Sequence, residues 1–438
     1  MSPNRDRPTR GDPPRGGPLR TPVLFVLACL VLSLALPPSS VNCQWPPWLA
    51  KDAPEPVYPE ILIDAPLFEE TAFREDDPRP LVVDAREAGA YRAGHLRGAV
   101  SLPADSIDFG PGLLPFLHRH GFPVGRPLFL YGGSDPREAA TVWWGLVIGG
   151  QGLPLLLDGG LPAWLREFGE SRLQKIGSAA EQPRGGSSAS FDTTTVANAP
   201  WVREHFGTEG VEILDVRDST AWEAGHVPHA LPFDPRIVTG SDGTFMEGEE
   251  IRAILARLGP RPSTTVDLGA EFVVYDEGTG REAALAALVL RLGGIEKVRV
   301  FPGGWGEWSA DSTAPVVRIA TADEVDDRVG GTDEENRRRN VLLVDVRNRR
   351  DHEIRYIPGS VCIRSDQFVD SLGAVVERAC PGVDPGALTL VLYCYGPDCI
   401  RSRQCATWAA RQGFRDLWWF LGGLPEWWGA GKETRTAR

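Results

Sequence analysis

One pattern occurs three times in this chain, and it limits the possible fold more than any other feature of the sequence. Each copy has an apolar run ending in Asp-x-Arg, a turn, a second apolar run, a loop with an Ala-rich segment, and a Gly-Gly pair before a tryptophan. The three Asp-x-Arg motifs are Asp84-Ala-Arg86, Asp215-Val-Arg217 and Asp345-Val-Arg347. Short, continuously apolar strands alternating with helical segments are typical of a parallel sheet covered on both faces. The sequence therefore predicts an α/β protein of three tandem domains.

The length of the chain agrees with this number of domains. A chain of 438 residues suits about three domains of ordinary size. Polar or small-residue-rich segments separate the copies, as linkers do. We place the domains at residues 57–170, 195–312 and 317–432.

The charge of the chain argues against one class of partner. The formal net charge is −13, so no overall basic field would attract nucleic acid. Acidic residues surround the local clusters of arginine, which we interpret as solvated surface. We therefore expect no nucleic-acid partner.

The N-terminal segment, residues 1–43, has a different composition from the rest. Several arginines precede an apolar run at residues 23–36, which is interrupted only by Ser33. This run is shorter than the about 20 residues that a membrane-spanning helix needs, and it suits the apolar part of a secretory signal. We expect either a cleaved signal peptide or an uncleaved membrane anchor. Both place the body of the protein outside the cytoplasm, with membrane contact only through this segment.

The cysteines are concentrated in the third copy. Of seven, two lie in the N-terminal segment and five follow residue 360, namely Cys362, Cys380, Cys394, Cys399 and Cys405. The chain is therefore not a disulfide scaffold, and thiol chemistry is confined to one region.

Cys394 has the most informative surroundings of these cysteines. An apolar run from Thr389 ends at this residue, a turn with Gly396 and Pro397 follows, and an Ala-rich helical pattern begins near Arg401. The pattern predicts a buried strand that delivers the thiol to a loop before a helix. Backbone N–H groups of such a loop and of the helix N-terminus favour an anion. They would lower the thiol pKa and make Cys394 a nucleophile.

The repeated motifs resemble the rhodanese homology domain, a sulfurtransferase fold. The resemblance covers nearly all of residues 57–432, and it implies three tandem rhodanese-like domains, each a mainly parallel sheet with helices on both faces. The catalytic residue of the family is a cysteine that opens the loop. Gly132 and Asp276 occupy that position in the first two copies, so the resemblance implies a structural role for them. Only the third copy, with Cys394, would be catalytic.

The third copy departs from the family pattern in two ways. Six residues separate Cys394 from Arg401, whereas four separate Gly132 from Arg137. The Gly-His turn of the other copies is replaced by Arg355-Tyr356. A longer loop makes a wider cradle, which leaves the preferred anion open.

The resemblance also implies a mechanism. The Cys394 thiolate would attack the outer sulfur of a small anion such as thiosulfate, and the resulting persulfide would pass its sulfur to cyanide, a small thiol or a protein thiol. Asp345 and Arg347 would support the site, and no cofactor or metal is implied. The expected substrate-binding loop consists of Tyr395, Gly396, Pro397, Asp398, Ile400, Arg401 and Ser402.

Two of these loop residues have specific alternatives. Arg401 could bind an oxyanion, since its planar fork suits one, or it could pair with a carboxylate such as Asp345. Ser402 is expected to cap the N-terminus of the helix.

Cys399 admits three interpretations. It could resolve the persulfide on Cys394, releasing sulfide and forming a disulfide. The two cysteines could instead form a resting disulfide in an oxidising compartment. Cys399 could also simply pack against the helix.

Three other functions also fit parts of the sequence. A cysteine-based phosphatase or arsenate reductase could use the loop and its arginine, although Asp398 would disfavour a dianion. A non-catalytic binding module would resemble the first two copies. A zinc site at Cys394 and Cys399 would lack further ligands.

Overall fold

The structure is a computed structural model that describes residues 60–75, 79–110, 112–119, 122, 126–175, 191–258, 266–329 and 332–437. All the described residues belong to one compact unit, residues 57–438. The predicted signal or anchor segment, 1–43, lies outside the described residues. Within the described ranges, no helix has both the length and the apolar character needed to cross a membrane.

The first domain is built on a five-stranded sheet. Its strands are β1 (Leu62–Ile63), β2 (Leu81–Asp84), β3 (Val100–Ser101), β4 (Leu128–Tyr131) and β5 (Leu155–Leu157). Its helices are α1 (Ala65–Ala72), α2 (Ala88–Ala93), α3 (Leu113–Arg119), α4 (Pro136–Ile148) and α5 (Gly160–Phe168), with 3₁₀ turns at Ala104–Ser106 and Glu170–Arg172. All pairings are parallel, in the order β1-β5-β4-β2-β3.

The middle domain has a four-stranded sheet. Its strands are β6 (Val211–Asp215), β7 (Ala230–Pro232), β8 (Glu271–Tyr275) and β9 (Val298–Val300). Its helices are α6 (Ala199–His205), α7 (Ser219–Ala224), α8 (Gly248–Leu255), α9 (Arg281–Leu292) and α10 (Gly304–Ala310), with a 3₁₀ turn at Pro235–Val238. The parallel order is β7-β6-β8-β9, and a parallel bridge from Val196 to Val300 extends its edge.

The third domain repeats the five-stranded arrangement. Its strands are β10 (Val316–Ile319), β11 (Val341–Asp345), β12 (Ser360–Cys362), β13 (Thr389–Tyr393) and β14 (Asp416–Phe420). Its helices are α11 (Ala322–Arg328), α12 (Asp333–Arg338), α13 (Arg349–Ile354), α14 (Phe368–Ala379), α15 (Arg401–Arg411) and α16 (Gly423–Gly429), with 3₁₀ turns at Ser365–Gln367 and Pro385–Ala387. The order is β10-β14-β13-β11-β12, again all parallel.

The predicted α/β class with three parallel sheets is thus confirmed. The central strands are buried along almost their whole length, since helices cover both faces of each sheet. This burial explains why the strands appear in the sequence as continuous apolar runs rather than alternating ones.

The middle sheet contributes its two faces to two different hydrophobic cores. Leu214 and Val274 pack in one core together with residues of the first domain. Their neighbours Ile213 and Val273 point to the opposite face and pack in a second core together with residues of the third domain. The middle domain is therefore buried on both sides by its neighbours.

Helix α15 of the third domain rests directly on the middle domain. The Arg403 guanidinium donates to the carbonyl oxygen of His229 at 2.6 Å, and the Arg411 guanidinium donates to the carbonyl oxygen of Phe206 at 2.8 Å. Burial lowers the pKa of Arg403 to about 10. The helix that follows Cys394 is thus held in place by contacts from another domain.

The contact between α15 and the middle domain leads to a prediction about one added methyl group. Gly207 has a positive φ of 67°, and a Cβ added there would overlap the methyl group of Thr407 on α15. Gly207→Ala should lower the unfolding midpoint in denaturant, and Thr407→Ala should restore part of the loss in the double variant. The overlap should add about 1–3 kcal/mol to the cost of the backbone conformation alone.

Gly210→Ala provides the matched control for Gly207→Ala. Gly210 has a similar φ of 78°, but no atom lies within 4 Å of an added Cβ. It should show only the conformational cost, about 1–2 kcal/mol. Equal midpoints for the two alanine variants would contradict the proposed contact with Thr407.

Candidate active site

Each domain has a loop between a central strand and the next long helix, and we call these three segments the cradle loops. They comprise residues 132–135, 276–280 and 394–400. Each lies at the carboxyl end of a parallel sheet, where ligands bind in such folds. The predicted strand and helix on either side of Cys394 are both present, as β13 and α15.

A buried aspartate stands beside each cradle loop, at the end of the neighbouring strand. In the third domain this is Asp345, which is 0% exposed. The Arg347 guanidinium donates to its two oxygens at 3.0 and 2.6 Å and to the carbonyl oxygen of Arg355 at 2.7 Å. The same arrangement recurs for Asp84 with Arg86 and for Asp215 with Arg217. The Asp-x-Arg motif thus ties each strand end to the following turn.

The third domain differs from the others in the second partner of this aspartate. In the first two domains the tyrosine that ends the central strand donates to the aspartate at 2.6 Å. In the third domain His352 Nδ1 takes that place at 3.0 Å from Asp345. Tyr393 instead contacts Ser360 Oγ at 3.0 Å. Burial opposes ionisation of Asp345, but the hydrogen bonds from His352 and Arg347 outweigh it and lower its pKa.

The sequence contained a signal for His352 that was missed. Each domain stacks an aromatic ring on a histidine four residues away, and the pairs are Tyr91 with His95, Trp222 with His226, and His352 with Tyr356. The order of the two rings is reversed in the third domain. The reversal places the imidazole at the position from which it reaches the buried aspartate.

The cradle loop of the middle domain holds a carboxylate of its own. The Asp276 side chain accepts hydrogen bonds from the backbone N–H groups of Gly278, Thr279, Gly280 and Glu282, at 2.8 to 3.1 Å. The Asp276 carboxylate thus occupies the place of a bound anion in this loop. A loop at this point of the fold therefore provides converging donors for a negative group.

The first domain fills its cradle loop in a related way. Its Gly133 N–H donates to Glu138 Oε2 at 2.9 Å, and burial raises the pKa of Glu138. Gly132, at the position of the thiol in the third domain, has no side chain to offer. Each of the two loops that lack a thiol thus binds a carboxylate from its own domain.

The first two cradle loops also face each other's domain. A Cβ added at Gly280 would lie 2.6 Å from the ring of Phe109, a residue of the first domain. Across the same interface, Arg137 pairs with Glu282 at 2.8 Å. The helix starts that follow these two loops therefore contact the neighbouring domain, although Ser134, Glu277 and Thr279 in the loops remain exposed, as Tyr395 does in the third loop.

In the third cradle loop, the sulfur atoms of Cys394 and Cys399 are joined in a disulfide, with the two Cα atoms 6.2 Å apart. Cys394 is only 1% exposed, whereas Cys399 is half-buried. The Cys399 N–H donates to the Gly396 carbonyl oxygen at 2.9 Å, which closes a tight turn inside the loop. The bonded sulfurs favour a redox role for Cys399 over packing alone.

Tyr395 fastens the third cradle loop to the start of α13. Its hydroxyl accepts from Asn348 Nδ2 at 2.9 Å and donates to Asp351. Its ring lies 5.6 Å from the guanidinium of Arg347 and 5.8 Å from that of Arg401. The Arg401 side chain is exposed, so its positive charge is accessible to an approaching anion, whereas Arg347 is buried in its pair with Asp345.

The structure corrects two expectations for this loop. Ser402 does not cap the helix, because it is buried in the first turn of α15 and accepts a hydrogen bond from the Trp419 indole at 2.9 Å. Ile400 holds the cap position and makes no side-chain capping bond. Arg401 does not pair with Asp345, whose oxygens are taken by Arg347 and His352.

The other loop residues that the sequence suggested differ in their exposure to solvent. Pro397 and Asp398 are exposed, Ile400 is half-buried, and Gly396 is buried with a φ of 122°.

Three cysteines outside the loop are free thiols, namely Cys362, Cys380 and Cys405. Burial raises the pKa of each of them, that of Cys362 to about 11. In the described ranges, no group of three or more His, Cys, Asp or Glu side chains could hold a metal ion.

Close backbone packing against the cradle loops explains the Gly-Gly motif. The second glycine of each pair has a positive φ, namely Gly160, Gly304 and Gly423. A Cβ at Gly423 would lie 2.5 Å from the carbonyl oxygen of Cys394, and the other two glycines lie equally close against their own cradle loops. The motif is therefore a close backbone contact that supports the loop from behind.

Comparison with known proteins identifies the repeated unit. A family model for the Rhodanese-like domain matches residues 69–167, 198–311 and 321–430. The chain belongs to the rhodanese-like domain family. The resemblance seen in the sequence is thereby confirmed for all three copies.

Several curated relatives match a stretch of this rhodanese-like protein that is about as long as two of its three domains. SseB of Mycobacterium tuberculosis, a candidate thiosulfate sulfurtransferase, is 29% identical over 252 residues, which cover 52% of this chain and 85% of SseB. The 3-mercaptopyruvate sulfurtransferase of Escherichia coli is 25% identical over 279 residues, covering 55% of this chain and 93% of the enzyme. Among solved structures, SseA of Escherichia coli aligns with a TM-score of 0.48 and 23% identity, covering 56% of this chain and 99% of SseA.

The self-filled cradle loop of the middle rhodanese-like domain leads to a stability prediction. Asp276→Ala leaves one buried and several partly buried N–H groups without their acceptor, so it should destabilise the protein by on the order of 3 kcal/mol. Denaturant unfolding with a tryptophan fluorescence readout would measure the loss. Asp276→Asn, which keeps one acceptor oxygen, should lose less.

Glu277→Ala serves as the control for Asp276→Ala. Glu277 is the next residue in the loop, and its side chain is 67% exposed in a pair with Arg217 at 3.4 Å. Its removal should cost about 0–1 kcal/mol, as for other exposed ion pairs. If Asp276→Ala unfolds at the same denaturant concentration as Glu277→Ala, the carboxylate does not hold the loop.

Proposed function

We propose that this protein is a sulfurtransferase in which Cys394 of the third domain carries sulfane sulfur as a persulfide. The observation that carries the proposal is the position of Asp276 in the middle domain. There the backbone N–H groups of the cradle loop hold a negatively charged oxygen. Cys394 opens the corresponding loop of the third domain, so the same donors would stabilise a thiolate or a persulfide anion.

The relatives support this choice of chemistry. Their names give thiosulfate and 3-mercaptopyruvate sulfurtransferase activities. We propose thiosulfate or a similar small sulfur-containing anion as the donor, and a thiol or cyanide as the acceptor. The first two domains, which lack a thiol at this position, serve as the structural frame of the third.

The reaction starts from reduced Cys394. Its thiolate attacks the outer sulfur of thiosulfate, the S–S bond of thiosulfate breaks, and sulfite leaves with the electron pair. The new persulfide then gives its outer sulfur to the acceptor, and Cys394 returns to the thiolate. Arg401, whose exposed side chain lies beside Tyr395, would attract the sulfonate end of the donor.

Mass spectrometry of the intact protein tests this proposal. After reduction and removal of the reductant, thiosulfate should add about 32 Da, one sulfur atom, to a variant with Cys399→Ser, since no second loop thiol can then remove the sulfur. The adduct should be absent in Cys394→Ser and retained in Cys362→Ser, which serves as the control for a free thiol of the same sheet. An adduct that survives Cys394→Ser would exclude Cys394 as the sulfur carrier. Turnover of an aryl phosphate lost in Cys394→Ser would instead support the phosphatase alternative.

We also propose an extracytoplasmic location, with the N-terminal segment as signal or anchor. The arginines and the apolar run at residues 23–36 support it, as does a disulfide in the third domain, since disulfides persist in oxidising compartments. Fusion of residues 1–56 to a reporter that is active only after export should give activity. The same fusion with two aspartates placed in the apolar run should give none. Equal activity of both fusions would contradict the location.

A further inference from the structure

The third cradle loop contains a second sulfur atom in bonding contact with the first. Cys399 Sγ is joined to Cys394 Sγ, the atom that would carry sulfane sulfur under the proposed function, on which this inference rests. The middle loop has neither this thiol nor the two additional residues. The longer loop of the third domain thus brings Cys399 back beside Cys394, the residue with which the loop begins.

The position of Cys399 is fixed by the fold of the loop. Tyr395 anchors the first half of the loop to Asn348 and Asp351. The turn from Gly396 to Cys399, closed by a 2.9 Å hydrogen bond, then directs the second thiol back toward Cys394. The same contact is therefore available to Cys399 when Cys394 bears an extra sulfur.

We propose that Cys399 is an internal acceptor that makes this site a dithiol-dependent, sulfide-releasing centre. The Cys399 sulfur attacks Cys394 Sγ, the inner sulfur of the persulfide, and the bond between the inner and outer sulfurs breaks. The outer sulfur leaves as hydrosulfide and takes the proton of the Cys399 thiol. The product is the Cys394–Cys399 disulfide seen in the structure.

A dithiol then returns the site to its reduced form. The first thiolate of the dithiol attacks Cys399, because this sulfur belongs to the half-buried residue whereas Cys394 is 1% exposed. Cys394 leaves as a thiolate into the cradle, where N–H donors and the start of α15 stabilise it. The second thiol of the dithiol breaks the mixed disulfide on Cys399 and is itself oxidised.

The complete cycle is balanced. One thiosulfate and one dithiol give one sulfite, one hydrosulfide, one oxidised dithiol and one proton. The sulfane sulfur is reduced to sulfide, and the dithiol supplies both electrons. The acceptor proposed above is accordingly narrowed to a dithiol, either a small molecule or a protein, because one molecule of it supplies both electrons.

A single-turnover experiment with the full chain tests this inference. The reduced protein, freed of reductant, is mixed with excess thiosulfate, and sulfite, sulfide and the intact mass are measured. The wild type should release both products in equal amounts and end with a mass about 2 Da below the reduced form, because two thiols have become a disulfide. Cys399→Ser should release sulfite, keep the added sulfur and release less sulfide by about tenfold or more.

The outcomes separate this inference from the proposed function. If the wild type releases sulfite but keeps the added sulfur and forms no disulfide, Cys399 is not the acceptor, although the transfer reaction stands. If no sulfite is released by the wild type, the proposed function itself fails. Cys362→Ser should behave as the wild type does, and loss of sulfide release in that variant would assign the resolving thiol to Cys362. Counting free thiols before and after thiosulfate in the wild type gives the same answer if Cys399→Ser does not fold.

Discussion

Backbone N–H groups at the point where a strand passes into a helix need an acceptor, and a carboxylate meets this requirement in two of the three cradle loops. The middle domain supplies the carboxylate of Asp276, and the first domain supplies that of Glu138. In the third domain Cys394 opens the corresponding loop, and its sulfur is bonded to Cys399. The two loops that hold a carboxylate thus differ from the loop with a thiol, which we propose to be catalytic.

The surrounding motifs serve this arrangement. The buried Asp-Arg pairs fix the strand ends beside each cradle loop, and the second glycine of each Gly-Gly pair lets a backbone turn support the loop from behind. Because these contacts are made by backbone atoms or by a single charged pair, they recur with little change in all three copies. The variable parts are the loop residues themselves, which determine what chemistry is available.

The fold was predictable because its signals are local and repeated. Apolar runs, glycines and Asp-x-Arg motifs lie close together in sequence, and three copies reinforce one another. One error involves a partner that is distant in sequence. Ser402 looked like a helix cap, but the indole of Trp419 needs an acceptor in the core, and Ser402 provides it. The contact of His352 with Asp345 is closer in sequence and was missed for another reason, namely that the reversed order of the stacked rings in the third domain was not recognised. The disulfide between Cys394 and Cys399 was one of three alternatives that spacing alone could not separate.

The burial of the middle sheet on both faces has a consequence for the substitutions that the protein can accept. Helix α15 begins directly after the loop that Cys394 opens, and two of its arginines donate to the carbonyl oxygens of His229 and Phe206 in the middle domain. A domain without a thiol therefore forms part of the support of the thiol in the next domain. A substitution that moves these carbonyl oxygens would displace α15, so we expect the third domain to constrain the sequence of the middle domain, which has no thiol at its own cradle loop.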